Sequence, residues 1–299
     1  MVYIPLFSTR QKTRDLERRK GGGKGGGSSG SSSSGSGRSS GVSVGGGSKK
    51  TASSYSRGGG SATTIPSGSL FAGRQQGGGS RDQVYGTRAS IHRQYGSGYP
   101  GVTGRGVAGR NFPFFFWPLT FGAVGGVGAH HYLSEANDEY GLPDNSSRTG
   151  GIVTVGNFTS NSGNSTFRLI ADNSTTVSLL ADVTSNCSSS LDSSKTSTNA
   201  STFDYKHSWS PNPGEVVQYY RASSVALMLI GYNNSAVFND DDDTPDDPIP
   251  SWADTTLLDC LNQTIGAAVP LIDNGCPQMP LPNIGLMGMV FVVWLMALA

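Results

Sequence analysis

Glycine and serine fill the first 110 residues, and asparagine is missing from them. Met1–Arg110 holds 28 of the 43 Gly together with 21 Ser. Such a stretch has too little apolar surface to offset the entropy lost on ordering, so residues 1–110 are predicted to form a disordered arm. The arm is also basic, with 17 Lys and Arg against Asp15, Glu17 and Asp82, a net charge of +14. Residues 111–299 reverse the sign: five basic residues face 18 acids, a net of −13. The overall charge of +1 therefore hides a basic arm joined to an acidic body. An arm of this kind attracts polyanions, among them anionic wall polysaccharide and lipid headgroups.

The acidic body holds eight Asn-x-Ser/Thr sequons, at Asn145, Asn157, Asn164, Asn173, Asn186, Asn199, Asn233 and Asn262. Half of its 16 Asn head a sequon. A Ser/Thr-rich region yields some sequons by chance, but this set is enriched and reads as lumenal or extracellular glycosylation acceptors. The cysteines fit that compartment. No CxxC or CxxH spacing for zinc occurs, and Cys187 and Cys260 fall in helical patterns. In an oxidising compartment they are the natural pair, closing a loop of about 70 residues worth roughly 4 kcal/mol on the chain-entropy model. Three reduced, buried thiols are the alternative, because spacing does not prove a bond.

Two apolar segments raise the question of a membrane. Phe112–Ala129 runs 18 residues without a charge, basic residues before it and acids after it. As a single span it would place the arm in the cytoplasm and the sequons outside. Pro113, Pro118 and four glycines argue instead for an aromatic arm packed on the folded domain. At the C-terminus, Leu286–Ala299 is apolar but too short to span comfortably. Upstream lie the small residues Asn274-Gly275-Cys276 and a Pro-rich spacer, the pattern of a GPI-attachment signal with Asn274 as the attachment residue. Attachment there removes Cys276 and leaves an even pair of cysteines. A plain hydrophobic tail or tail anchor is the alternative. Met1–Phe7 stops short of a secretory h-region at Ser8, so entry to the pathway needs either Phe112–Ala129 as an internal signal anchor or a different start.

Motifs of chemistry match only in name. Gly21–Gly26 satisfies GxGxxG inside a glycine run, with no strand before it and no helix after it. Gly41-Val42-Ser43-Val44-Gly45 satisfies GxSxG without the strand–turn–helix of a nucleophile elbow. His92, His130, His131 and His207 have no recognisable catalytic or metal-binding context. Asp240–Asp243 with Asp246 and Asp247 lacks EF-hand alternation and reads as a solvated acidic loop. Tyr55, Tyr85, Tyr95 and Tyr99 interleave with Arg and Gly, but Arg57-Gly58-Gly59 is the sole RGG triplet, and nucleic acid is not the expected partner. No catalytic, metal or cofactor residue is assigned.

Residues 134–274 are expected to form one small α+β domain, an antiparallel sheet with helices packed on one face. Ile152–Phe158 and Thr166–Ala171 read as strands joined by Ser160–Ser165. Asn173 or Ser174 is placed to cap a helix whose Val177, Leu180, Ala181, Thr184 and Cys187 share a face. Pro213 fits the first turn of a helix to about Arg221. Val225–Ile230 is apolar on both faces, a buried strand. Asp254 caps a last helix with Leu257, Leu261 and Ile265 in line. Before this domain lies the apolar segment 111–133, and after it the tail 275–299.

GRNFPFFFWPLTFG, EYGLPDNSSRTGG, VVQYYRASSVALMLIGYNNS and TTLLDCLNQTIG together resemble a family of fungal surface proteins of unknown function. Its chains similarly run from a Gly/Ser-rich arm to a glycosylatable α+β domain and a hydrophobic C-terminus. The resemblance implies a surface location and carries over no catalytic residues. The expectation is thus a non-enzymatic, membrane-anchored cell-surface protein with wall or headgroup contacts through its arm. The alternatives are a single-pass type II membrane protein with a cytoplasmic arm, and a secreted hydrolase using His207 with carboxylates.

Overall fold

The computed structural model describes residues 37–44, 48–85, 111–122, 138–163, 165–206, 211–238 and 245–273. In chain order its strands are β1 Ser39–Val44, β2 Ser48–Ser53, β3 Thr63–Thr64, β4 Gln75–Gln76, β5 Val153–Thr159, β6 Thr166–Asp172, β7 Ser201–Thr202, β8 Val216–Tyr220, β9 Val225–Leu229 and β10 Leu271–Ile272. Helix α1, Asn173–Asn186, follows β6, and α2, Thr255–Ala268, precedes β10. Strands β7-β5-β6-β9-β8 make one antiparallel sheet in that order. The fold class is α+β.

Side-chain alternation decides what each face of this sheet covers. Phe167, Leu169 and Ala171 of β6, with Val225, Leu227 and Leu229 of β9, pack under α1 and α2. Ile170, Ala226 and Met228 point the other way, against Phe112, Trp117, Leu119 and Phe121. Strand β9 is therefore buried along its whole length, and its apolar run follows from having packing on both faces. Phe112–Gly122 is buried throughout. These residues pack into the core, while Ala123–Ala129 lie outside the described residues. No helix among the described residues is long and apolar enough to cross a membrane.

The arm is where expectation and structure part. Residues 37–44 and 48–85 are ordered, contrary to the prediction of disorder across 1–110. β1 pairs with β2 from Ser39↔Ser53 to Val44↔Ser48, and β2 pairs in turn with β10 through Ala52↔Ile272. The reason is nonlocal: Val42, Val44 and Ala52 bury themselves with Phe115, Phe116 and Ile272, apolar partners supplied from far along the chain. This pairing joins residues of the arm to residues 271–272 in one sheet. Residues 1–36, 45–47 and 86–110 lie outside the described residues.

Three local expectations change. Asp172, not Asn173 or Ser174, caps α1, its Oδ1 accepting from the Thr175 N–H at 3.0 Å. The buried face is Thr175, Thr176, Leu179, Leu180, Asp182 and Val183, and Val177 stands 53% exposed. Pro213 opens only a single 3₁₀ turn to Glu215, after which Val216–Tyr220 extends as β8. Its β-branched and aromatic side chains gain more from cross-strand packing on β9 than from a helix.

α2 forms as its sequence indicates. Asp254 Oδ1 accepts from the Leu257 N–H at 3.0 Å, and its other oxygen accepts from the Ser160 and Ser162 hydroxyls at 2.5 and 2.9 Å. Burial by itself would raise the Asp254 pKa, but these hydrogen bonds outweigh it and hold the group below the ordinary Asp value. A depressed folded pKa contributes stability that is present above the unfolded value and is lost as pH falls through the folded one. Asp254→Ala should therefore cost about 0.5–2 kcal/mol at neutral pH. Urea titrations from pH 7 down to 2 should show the deficit shrinking in acid; a constant deficit would remove the carboxylate from the argument.

Cys187, at the C-cap of α1, and Cys260, within α2, are joined by a disulfide, with sulfurs 1.99 Å apart and Cα atoms 5.9 Å apart. Cys187 is fully buried and Thr264 Oγ1 lies 3.5 Å from its sulfur. Replacing both cysteines by Ser is expected to cost about 2–4 kcal/mol by denaturant titration, little more than either change alone.

Candidate functional site

Among the described residues the densest convergence of charge is the turn between β8 and β9, Arg221-Ala222-Ser223-Ser224. A single charge stands here between two apolar strands, VVQYY and VALML. Arg221, Ala222 and Ser223 all adopt left-handed backbone, with φ of 49°, 53° and 58°. Such values cost an L-residue roughly 1 kcal/mol or more and persist only where surroundings enforce them. The surroundings are the arm and the aromatic stretch. Val84 O accepts from the Arg221 N–H at 2.6 Å, and Ser223 O accepts from the Leu119 N–H at 2.8 Å.

The Arg221 side chain is fully buried, and each of its three nitrogens has a partner. Nη2 pairs with Asp172 Oδ2 at 2.6 Å, Nη1 donates to Pro270 O at 2.8 Å, and Nε donates to Ser224 Oγ at 2.7 Å. The Phe116 ring covers the guanidinium plane, 3.4 Å from Cζ to the centroid. Burial pulls the Arg221 pKa down to about 10 against the opposing pull of Asp172, so the group stays charged at neutral pH. Asp172 meanwhile caps α1 with its other oxygen. Gly150 packs against that carboxylate at φ +85°, where any Cβ would collide with Oδ1. One ion pair thus ties β6, α1, the β8–β9 turn, the aromatic stretch and the segment before β10. Fully buried, with a protein partner on each guanidinium nitrogen, this node ties the fold together.

A second arm arginine works beside it. Arg81 Nη1 donates to Val269 O at 2.6 Å and Gly266 O at 3.3 Å, placing a cation at the C-terminal end of α2. Burial, then the charge of Arg221, bring its pKa down to about 10. Tyr85 crosses the same helix, its hydroxyl donating to Asn262 O at 2.8 Å; a Cβ at position 266 would strike that hydroxyl, so glycine lets the arm lie close. Elsewhere Arg38 pairs with Asp182, Arg74 pairs with Glu139, and Lys50 Nζ sits 4.0 Å above the Phe115 ring. Two arginines of the arm thus pair with acids of the body.

The sequons separate by position. Asn173, Asn186, Asn199 and Asn233 are exposed; Asn145, Asn157 and Asn262 are half-buried. Asn145 Nδ2 is spent on Tyr140 O at 3.2 Å, and Asn262 Oδ1 accepts from the Tyr220 hydroxyl at 2.5 Å. Asn164 and the attachment candidate Asn274 lie outside the described residues, as do the four histidines, among them the His207 of the hydrolase alternative. Ser43 sits on β1 opposite Lys49, not on an elbow. Asp246 and Asp247 accept from Asn234 and Ser235, closing a loop on itself. Among the described residues no three His, Cys, Asp or Glu are placed to hold a metal ion. A shallow dent is lined by Gly60, Gly77–Gly79, Phe114–Phe116 and Ile272, without an acid or base.

Sequence reasoning missed Arg221, Asp172 and Arg81. Arg221 carried a readable signal, a lone charge inside a largely apolar run. Arg81 carried none, because it resembles every other arginine of a Gly/Ser-rich stretch. Comparisons of this chain with family models, with curated proteins and with solved structures found no match.

Proposed function

We propose that this chain is a non-enzymatic cell-surface protein, held to the outer face of a membrane through its C-terminal tail and touching anionic wall polymer or headgroups through its basic N-terminal segment. The observation that carries the reading is the Cys187–Cys260 bond, which forms and persists in an oxidising, secretory compartment. Four sequon asparagines exposed on the folded body support it, as do the small-residue, spacer and apolar-tail pattern of residues 274–299 and the resemblance to fungal surface proteins.

The polyanion contact moves within the arm. Arg38, Lys50, Arg74 and Arg81 are engaged on the body, which leaves 13 of the arm's 17 Lys and Arg to attract a polyanion, and seven of these lie in residues 1–36 against two acids. The test is release from intact cells by a phosphatidylinositol-specific phospholipase, followed by peptide N-glycosidase. Release into the medium and a drop in mass are expected. Retention in the membrane fraction with no change in mass would overturn the reading.

A further inference from the structure

We infer that Asn157 carries an N-linked glycan whose first sugars lie along the half-buried side chains of Arg168 and Glu215. The inference rests on the secretory reading above. In the transfer, Asn157 Nδ2 attacks the anomeric carbon of a lipid diphosphate-linked oligosaccharide. The nitrogen–carbon bond forms, the carbon–oxygen bond to the diphosphate breaks, the lipid diphosphate leaves, and Nδ2 loses a proton.

Strand register aligns the seat. Asn157 of β5 stands opposite Arg168 of β6, Arg168 opposite Met228 of β9, and Met228 opposite Val216 of β8, which Glu215 directly precedes. Arg168 shares the parity of Ile170, so this row belongs to the face opposite the helices. Asn157, Arg168 and Glu215 are each half-buried, and Met228 is fully buried between them. Arg168 Nε donates to Asn157 Oδ1 at 3.3 Å. That bond holds the carboxamide by its oxygen, while Nδ2, the atom to be glycosylated, has no hydrogen-bond partner among the described residues. Thr159, which completes the sequon, lies on the same face as Asn157.

The charges in this row are held apart. Arg168 and Glu215 form no ion pair among the described residues, though each feels the other's charge and burial disfavours the ionised form of both. Glu215 accepts from the Asn212 N–H at 3.4 Å and from Gly231, which leaves lone pairs over. Two strand spacings separate the Arg168 and Val216 backbones, roughly 10 Å. Met228 and Val216 are already covered there, so a pair of linked sugars reaches across on the outside, over the half-buried Arg168 and Glu215 side chains. Their hydroxyls accept from the free guanidinium nitrogens at one end and donate to the carboxylate at the other, a bridge that neither charge can make alone.

Glycopeptide mass spectrometry of the full secreted chain, combined with timed peptide N-glycosidase digestion of the native protein, tests this against the exposed Asn199 as internal reference. Asn157 should be occupied and its glycan released about tenfold more slowly than that of Asn199, the protection expected from one or two hydrogen bonds. Arg168→Ala and, separately, Glu215→Gln should abolish the lag while Asn157 stays occupied; circular dichroism checks that each variant is folded. A bare Asn157 beside an occupied Asn199, or equal release rates, overturns the inference and leaves the secretory reading standing. Absence of glycan from every sequon overturns both.

Discussion

Removal of residues 1–110 is expected to abolish cooperative folding of the remainder. Val42, Val44, Ile65 and Val84 come from the arm and are at most 3% exposed. At roughly 1.5–3 kcal/mol for each buried side chain, their loss consumes a stability that is only about 5–15 kcal/mol for a typical domain. The truncation also uncovers Phe114, Phe115, Phe116 and Leu271, strips β10 of its strand partner, and leaves the end of α2 without Arg81. The left-handed turn at Arg221 loses the Val84 carbonyl that holds it. Thermal melts followed by near-ultraviolet circular dichroism should show no sigmoidal transition for the shortened chain. A cooperative melt within a few degrees of the intact protein would show that the arm is ornament.

How much was legible follows from how local each signal is. The β5–β6 hairpin and α2 could be read because their patterns are short and self-contained: Ser160–Ser165 supplies the turn, and Asp254 supplies a cap three residues before Leu257. The cysteine pair was readable because both residues lay in helices that must cover one sheet. The face of α1 slipped because capping starts one residue earlier, at Asp172, a residue also recruited by a charge 49 positions away. β8 was mistaken for helix since Pro213 gives a valid start signal, and only the partner strand β9 decides otherwise. The arm was illegible for a deeper reason. Composition averages over residues, and the apolar side chains scattered from Val42 to Val84 look negligible until the aromatic stretch and β10 come to meet them. The site residues share this fault, since Arg81 and Arg221 acquire meaning through carbonyls at positions 266–270 that no local pattern announces.

Arg221→Met should cost about 3–5 kcal/mol, the loss expected when one member of a buried pair is removed and the other is left charged. The Asp172 carboxylate would keep its cap on α1 but face Phe116 and the new thioether side chain without a counter-charge, and Pro270 O would lose its donor. Guanidinium titrations compare this variant with Asp172→Asn and with the double change. Asn retains a cap oxygen for the Thr175 N–H and removes the stranded charge, so the double variant should recover more than half of the loss. Arg221→Lys is expected to fall in between, because one ammonium cannot reach Asp172, Pro270 and Ser224 together in the way a planar fork does. Should the single and double variants be equally unstable, the cost would lie in the strained turn and not in the buried charge. The left-handed backbone at Ala222 and Ser223 would then be the feature the arm exists to enforce, with the ion pair a consequence of where that turn leaves the Arg221 side chain.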